Sequence, residues 1–147
     1  MKYSFQKESA MELRPLRFLV LWPHKAAMEE CLLDVDFLAT TQHFSIRDEK
    51  GEVSACCSVM IESREIDGEI YNLRLRAMAV HPNHRRQGLG KQLLIGAEQF
   101  FLNQSIWCDA REVAVLFYKS CGWEVKSEVY QIPIIGPHYL MVKNSKG

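Results

Sequence analysis

Between Ile70 and Ala97 this 147-residue chain has no Asp or Glu, although acidic and basic residues balance at 18 each and the formal net charge is zero. The lack of net charge argues against a general electrostatic grip on nucleic acid. The local gap does something different. It leaves Arg74, Arg76, Arg85, Arg86 and Lys91 unopposed, a cationic island in an otherwise acidic body, which suits a small polyanionic ligand. The cysteines Cys31, Cys56, Cys57, Cys108 and Cys121 lack CxxC or CxxxxH spacing, so no metal site is expected. Their odd number reads as reduced, partly buried thiols and a cytoplasmic home. No window approaches the roughly 18 apolar residues of a membrane span, and the first residues, MKYSFQKESAMELRP, lack an apolar leader core, so neither membrane nor export is expected. Repeats, low-complexity tracts and Pro/Gly/Ser linkers are also missing, which leaves one domain over 1–147.

What is present is 48% hydrophobic residues, enough for one sizeable core. The punctuation predicts alternating strands and helices. Tyr3–Lys7 suits a short strand, and Ser9 can cap a helix carrying Leu13, Leu16, Val20 and Leu21, weakened by Pro15. A second helix is expected from about Lys25 to Leu33. HFSIRD and VSACCSVMI flank a turn at Gly51 and read as a hairpin. In EIYNLRLRAMAV, Leu73, Leu75, Ala77 and Ala79 alternate with Arg74, Arg76, Met78 and Val80, a strand that ends at His81-Pro82. From Gly88 the period becomes helical through Leu89, Leu93, Leu94, Ala97 and Phe100 to about Leu102. SIWC reads as a strand. Asp109 followed by Glu112 has the form of a capping box for a helix AREVAVLFYKS, ending at Cys121-Gly122. WEVKSEVYQI and HYLMVK suit two closing strands.

The loop HRRQGLGK therefore joins a strand to a helix N-terminus, where unpartnered N–H groups and the helix dipole favour an anion. Glycines at 88 and 90 let a phosphate approach the backbone, and Arg85, Arg86 and Lys91 add charge. The Walker A pattern fails here, with Arg85 in place of its first glycine and Gln92 in place of its Ser/Thr. The dinucleotide fingerprint fails at Leu93. A third pattern fits throughout: [RQ]-x-x-G-x-[GA] directly after V-x-P, as Val80-His81-Pro82 and Arg85-Arg86-Gln87-Gly88-Leu89-Gly90.

With that motif the sequence resembles the GNAT superfamily of N-acetyltransferases. A second family element, A-x-x-F-Y-x-x-x-G-F/W, is matched by Ala114, Phe117, Tyr118, Gly122 and Trp123. LRFLVLWP and GPHYLMVK resemble, more loosely, a bacterial subgroup of small GNAT proteins. The resemblance implies the acyl-CoA N-acyltransferase fold, of mixed α/β (α+β) class: a mostly antiparallel mixed sheet flanked by helices and splayed between its fourth and fifth strands to admit acetyl-CoA. Met78, Ala79 and Val80 would hold the pantetheine arm and thioester, Met78 and Val80 through free backbone groups. Arg85, Arg86, Gln87, Gly88, Leu89, Gly90 and Lys91 would carry the pyrophosphate. Exposed strand edges in this fold often pair, so a homodimer is implied as well.

The implied reaction is acetyl transfer to a primary amine of a small molecule or peptide by direct attack. Tyr118 matches the family tyrosine that protonates the departing thiolate and contacts the cofactor; its ordinary alternative is core packing. No carboxylate lies in strand 73–80, which leaves His81, His138, Glu62 or a water chain as the base. The same gap admits a non-catalytic acyl-CoA-binding module as the alternative function. Asp109 is expected to cap a helix. Glu29, Glu30, Asp34 and Asp36 would draw in a cationic amine, with Trp22 and His43 on the same wall.

Overall fold

A computed structural model describes residues 2–145. Eight strands form one sheet: β1 (Ser4–Glu8), β2 (Gln42–Arg47), β3 (Val53–Ile66), β4 (Glu69–Val80), β5 (Ile106–Arg111), β6 (Glu124–Val125), β7 (Tyr130–Ile132) and β8 (Gly136–Lys143). The order is β1-β2-β3-β4-β5-β8-β6, with β7 also paired to β8. Every pairing is antiparallel except β4 with β5. Helix α1 (Ala10–Leu16) packs Leu13 and Leu16 against Cys56 and Ala79 on one face. On the other, α2 (Leu89–Phe100) and α3 (Val115–Ser120) close the main core, where Leu89, Leu93, Leu94 and Tyr118 meet Phe44, Cys57, Val59, Leu73 and Leu75. This is the mixed sheet with flanking helices that the resemblance implied.

Several elements differ from expectation for identifiable reasons. Pro15 stays inside α1; it cannot donate to the Met11 carbonyl, which accepts from Arg14 Nε at 3.2 Å instead. The chain then widens into a π turn over Arg17–Leu21, closed by Trp22 N–H to the Arg17 carbonyl at 2.9 Å. The helix expected over 25–33 is only a 3₁₀ turn, Met28–Glu30. Beyond it, Cys31 and Leu33 are buried, and the Leu33 N–H is taken by Asp36 Oδ2 at 2.7 Å rather than by a helical carbonyl. The organising group is Arg17, fully buried, whose guanidinium reaches Asp36 (2.7 and 3.1 Å), Ser58 Oγ and the Cys31 carbonyl. WEVKSEVYQI breaks into the two short strands β6 and β7.

The helix predicted from Ala110 starts later. β5 continues to Arg111 because it pairs with β8 as far as Arg111↔His138, a 3₁₀ turn follows over Glu112–Ala114, and α3 begins at Val115. Asp109 therefore caps nothing. Its carboxylate receives Arg74 Nη2 at 2.6 Å and the Tyr130 hydroxyl.

Candidate active site

The site begins where β4 leaves β5. Their parallel pairing is confined to Leu73↔Ile106 and Arg74↔Trp107, so the strands diverge beyond Arg74 and the β5-facing edge of 75–80 has no strand partner. On the other edge the ladder to β3 slips, leaving Ala77 and Met78 opposite Cys57, and Ala77 takes φ 55°. Two residues facing one is a β-bulge, and it reverses the side-chain phase. Leu73 and Leu75 face the α2 side before it, and Met78 and Val80 do so after it, while Ala77 and Ala79 pack toward α1. The regular alternation read from sequence put both alanines with the leucines; the bulge is what overturns it.

The divergence opens a cleft of about 840 Å³. All of the residues expected to hold cofactor line it except Gln87, which is exposed: Met78, Ala79, Val80, Arg85, Arg86, Gly88, Leu89, Gly90, Lys91 and Tyr118. At its α2 end, Gly88 is the N-cap residue in the left-handed region (φ 74°), with open space where a Cβ would stand. The first intrahelical bond is Gln92 N–H to the Gly88 carbonyl, so the N–H groups of Leu89, Gly90 and Lys91 have no acceptor within the helix. Arg85, Arg86 and Lys91 are exposed and form no ion pair among the described residues. Free amides, unpaired cations and an open backbone approach fit a pyrophosphate. Gly90 has a second reason to be glycine: a Cβ there would stand 2.8 Å from the Phe117 ring.

Tyr118 reaches the cleft from α3 while 5% exposed, packed on Trp123 at 5.3 Å between ring centroids. Burial pushes its phenol well above the ordinary value, and the neighbouring Cys108 and Cys57 thiols act in the same direction. It is a protonated donor at neutral pH. Cys108, its hydrogen-bond neighbour, also lines the cleft, and burial raises that thiol too.

The opposite half of the cleft is walled by Leu21 and Trp22 from the π turn, Arg74 and Arg76 from β4, Asp109 and Arg111 from β5, and Ile132, Ile135 and His138. Of the base candidates only His138 lies there. Its Nδ1 is 2.7 Å from the Gly136 carbonyl, which can only accept, so Nδ1 donates there and the lone pair of the neutral ring falls on Nε2. His81 is outside, its Nδ1 accepting from Asn83 N–H at 3.1 Å, and Glu62 is exposed and paired with Arg74 at 3.1 Å. The acidic cluster is not at the cleft. Glu29, Glu30 and Asp34 face solvent, and Asp36 is the buried partner of Arg17. Trp22 lines the cleft as expected, but His43 is interior, bonded to Ser58 Oγ at 2.6 Å and to the Asp36 carbonyl at 2.9 Å. Arg111 and Cys108 were not singled out from sequence. Nothing in a predicted helix would have marked Arg111, since only its place at the end of β5 aims it at the cleft.

Among the described residues no cluster of His, Cys, Asp or Glu could hold a metal, and no helix is long and apolar enough to cross a membrane. A model of the GNAT acetyltransferase domain matches residues 39–125. An uncharacterised N-acetyltransferase of Bacillus subtilis, YitI, is 30% identical over 131 residues, covering 87% of each chain. Similar folds include Escherichia coli ElaA (TM-score 0.75, 18% identity, 97% of this chain and 100% of that one). Another is an aminoglycoside 6'-N-acetyltransferase complexed with coenzyme A (TM-score 0.74, 14% identity, 97% of each chain).

Proposed function

From the premise that this chain belongs to the GNAT family of acetyl-CoA-dependent N-acetyltransferases, we propose that residues 1–147 form one domain acetylating a primary amine by direct attack, with Tyr118 as general acid and His138 as general base. The observation that carries this reading is the single cleft in which the diverging edge of β4, the basic loop before α2, the Tyr118 phenol and the His138 imidazole all meet. When bound, acetyl-CoA supplies the acetyl group as a thioester.

Arg85, Arg86 and Lys91, with the free amides of α2, hold the pyrophosphate, and Gly88 keeps the approach clear. The unpaired edge around the bulge at Ala77 and Met78 offers main-chain groups to the pantetheine amides and a donor to the thioester carbonyl. His138 Nε2 takes the proton that the amine nitrogen must lose, and Nδ1, held on the Gly136 carbonyl, fixes the ring for that task. Tyr118 Oη holds the proton for the departing sulfur. One N–C bond replaces one C–S bond, one proton leaves the amine and one is given to sulfur, so the exchange balances. Five free thiols, four of them buried, support the reducing cytoplasm as its location.

The test is thiol release from acetyl-CoA across a panel of primary amines. The expected result is amine-dependent release that falls about 100-fold or more in Tyr118→Phe, with acetyl-CoA affinity falling far less. Release without any added amine, or none from any amine, would remove the catalytic reading.

A further inference from the structure

Positive charge in the acceptor half of the cleft exceeds what its own carboxylates balance. Arg74 is neutralised, giving Nη1 to Glu62 and Nη2 to Asp109, and Asp109 is further occupied by the Tyr130 hydroxyl. Arg76 is different. It has no hydrogen bond and no ion pair among the described residues, and Asp34, Glu62 and Asp109 influence it only from a distance. Arg111 gives Nη2 to a neutral acceptor, the Leu21 carbonyl at 2.8 Å, and likewise has no carboxylate partner.

Both guanidiniums are half-buried, and both line the cleft from the α1 face, one on each of the two strands that part company. Burial pulls both below their usual values, Arg76 further so because of Arg74. Arginine cannot relieve that cost by losing its proton at neutral pH, so the unmatched charge calls for an external anion. The anion is not the pyrophosphate. At about 3.3 Å per residue, Arg76 lies roughly 13 Å along β4 from Val80, where the strand ends ahead of the basic loop.

We propose that the acceptor amine carries an oxyanion, a carboxylate or a phosphate, clasped between Arg76 and Arg111 while its amino group is presented to the cleft. The inference rests on the acetyltransferase reading and narrows it. The planar guanidinium fork suits either oxyanion bidentately, and a second positive charge on the acceptor would meet two unpaired cations. Trp22, Ile132 and Ile135 supply apolar walls for the body of the acceptor.

Calorimetric titration of the CoA-saturated protein tests this without requiring turnover. Matched pairs are used: lysine against cadaverine, phenylalanine against phenethylamine, and phosphoethanolamine against ethanolamine. The oxyanion-bearing member of at least one pair should bind tenfold or more tightly, and whether carboxylate or phosphate pairs respond identifies the oxyanion. Arg76→Gln and Arg111→Gln should each erase the preference while leaving the affinity for CoA unchanged. Equal or tighter binding of the members that lack the oxyanion, no binding by either member, or a preference that survives both substitutions would overturn the proposal. So would a loss of CoA affinity as large as the loss of preference, because that would assign the arginines to the cofactor. Thiol release from the same amines separates the two readings. A preference without release would remove catalysis and keep the anion site; release without preference would do the reverse.

Discussion

At the residue scale, the two loop glycines serve different ends. Both read as openings for a phosphate. Gly88 fits that role, since its left-handed φ and the open space beside it belong to a backbone that must be approached. Gly90 is equally a packing residue, because a Cβ there would crowd the Phe117 ring at 2.8 Å. The two substitutions should therefore behave differently. Gly88→Ala costs about 1–2 kcal/mol through φ alone, and Gly90→Ala about 1–3 kcal/mol through the clash. Only the second should be relieved by Phe117→Leu, measured as a double-mutant cycle in urea. Tyr118 was visible from its motif, and its burial explains how one side chain both packs and donates. His138 was one base candidate among several, and it stands out only because the pairing of β8 with β5 and β7 brings it to the cleft. Its substitution by Gln should lower kcat most near neutral pH and less at alkaline pH, where the amine is already unprotonated; a pH-rate profile reads this.

At the element scale, sequence pattern located the strands of the sheet's central part: β4 by its alternation, and β2 and β3, buried on both faces over 43–46 and 54–60, by the turn at Gly51 between them. It failed where a polar group deep inside sets the conformation. Arg17 is the case in point: an arginine in a helical pattern reads as surface, yet it is fully buried and ties the π turn to the segment around Asp36 and to β3. The pair holds Leu21 and Trp22 at the cleft wall. Asp36→Ala should cost about 3–5 kcal/mol, since it strands a buried guanidinium. The pair also gives an acid signature. Burial pushes the Asp36 carboxyl up, but the Arg17 fork and the Leu33 N–H hold it below the ordinary value. Glu8 is held down by Arg47, with Ser45 assisting against burial. A carboxyl with a depressed folded value contributes stability that is complete above its unfolded pKa of about 4 and is lost as pH falls through the folded one. Urea midpoints should therefore decline below about pH 4, and Asp36→Asn should flatten that decline. The β-bulge was equally illegible, since the unpaired Ala77 and Met78 are ordinary strand residues whose phase shift depends on the partner strand.

At the scale of the whole molecule, the neutral sequence hid an uneven field that its distribution nonetheless disclosed. The acid-free stretch 70–97 lies along the cleft: Arg85, Arg86 and Lys91 at one end, Arg74 and Arg76 at the other. Partner-free loop cations are screened by salt, so acetyl-CoA affinity should weaken several-fold as ionic strength rises from about 0.05 to 0.5 M, and Arg85→Gln with Arg86→Gln should flatten that dependence. The acidic patch expected to draw in the acceptor lies elsewhere, because Asp36 is spent on Arg17 and the others face solvent. Sequence could identify those charges but not which of them the fold would turn inward.

The central claim, that the β4–β5 cleft and the loop before α2 hold acetyl-CoA, is tested most directly by thermal unfolding with and without that ligand, on the native chain and on Gly88→Glu. At 100 times Kd the ligand adds about 2.7 kcal/mol, which for a chain of this length raises Tm by roughly 5–10 °C. The native chain should show that rise, and Gly88→Glu, with a carboxylate in the phosphate approach, should not. No rise in the native chain, or an equal rise in the variant, would contradict the account.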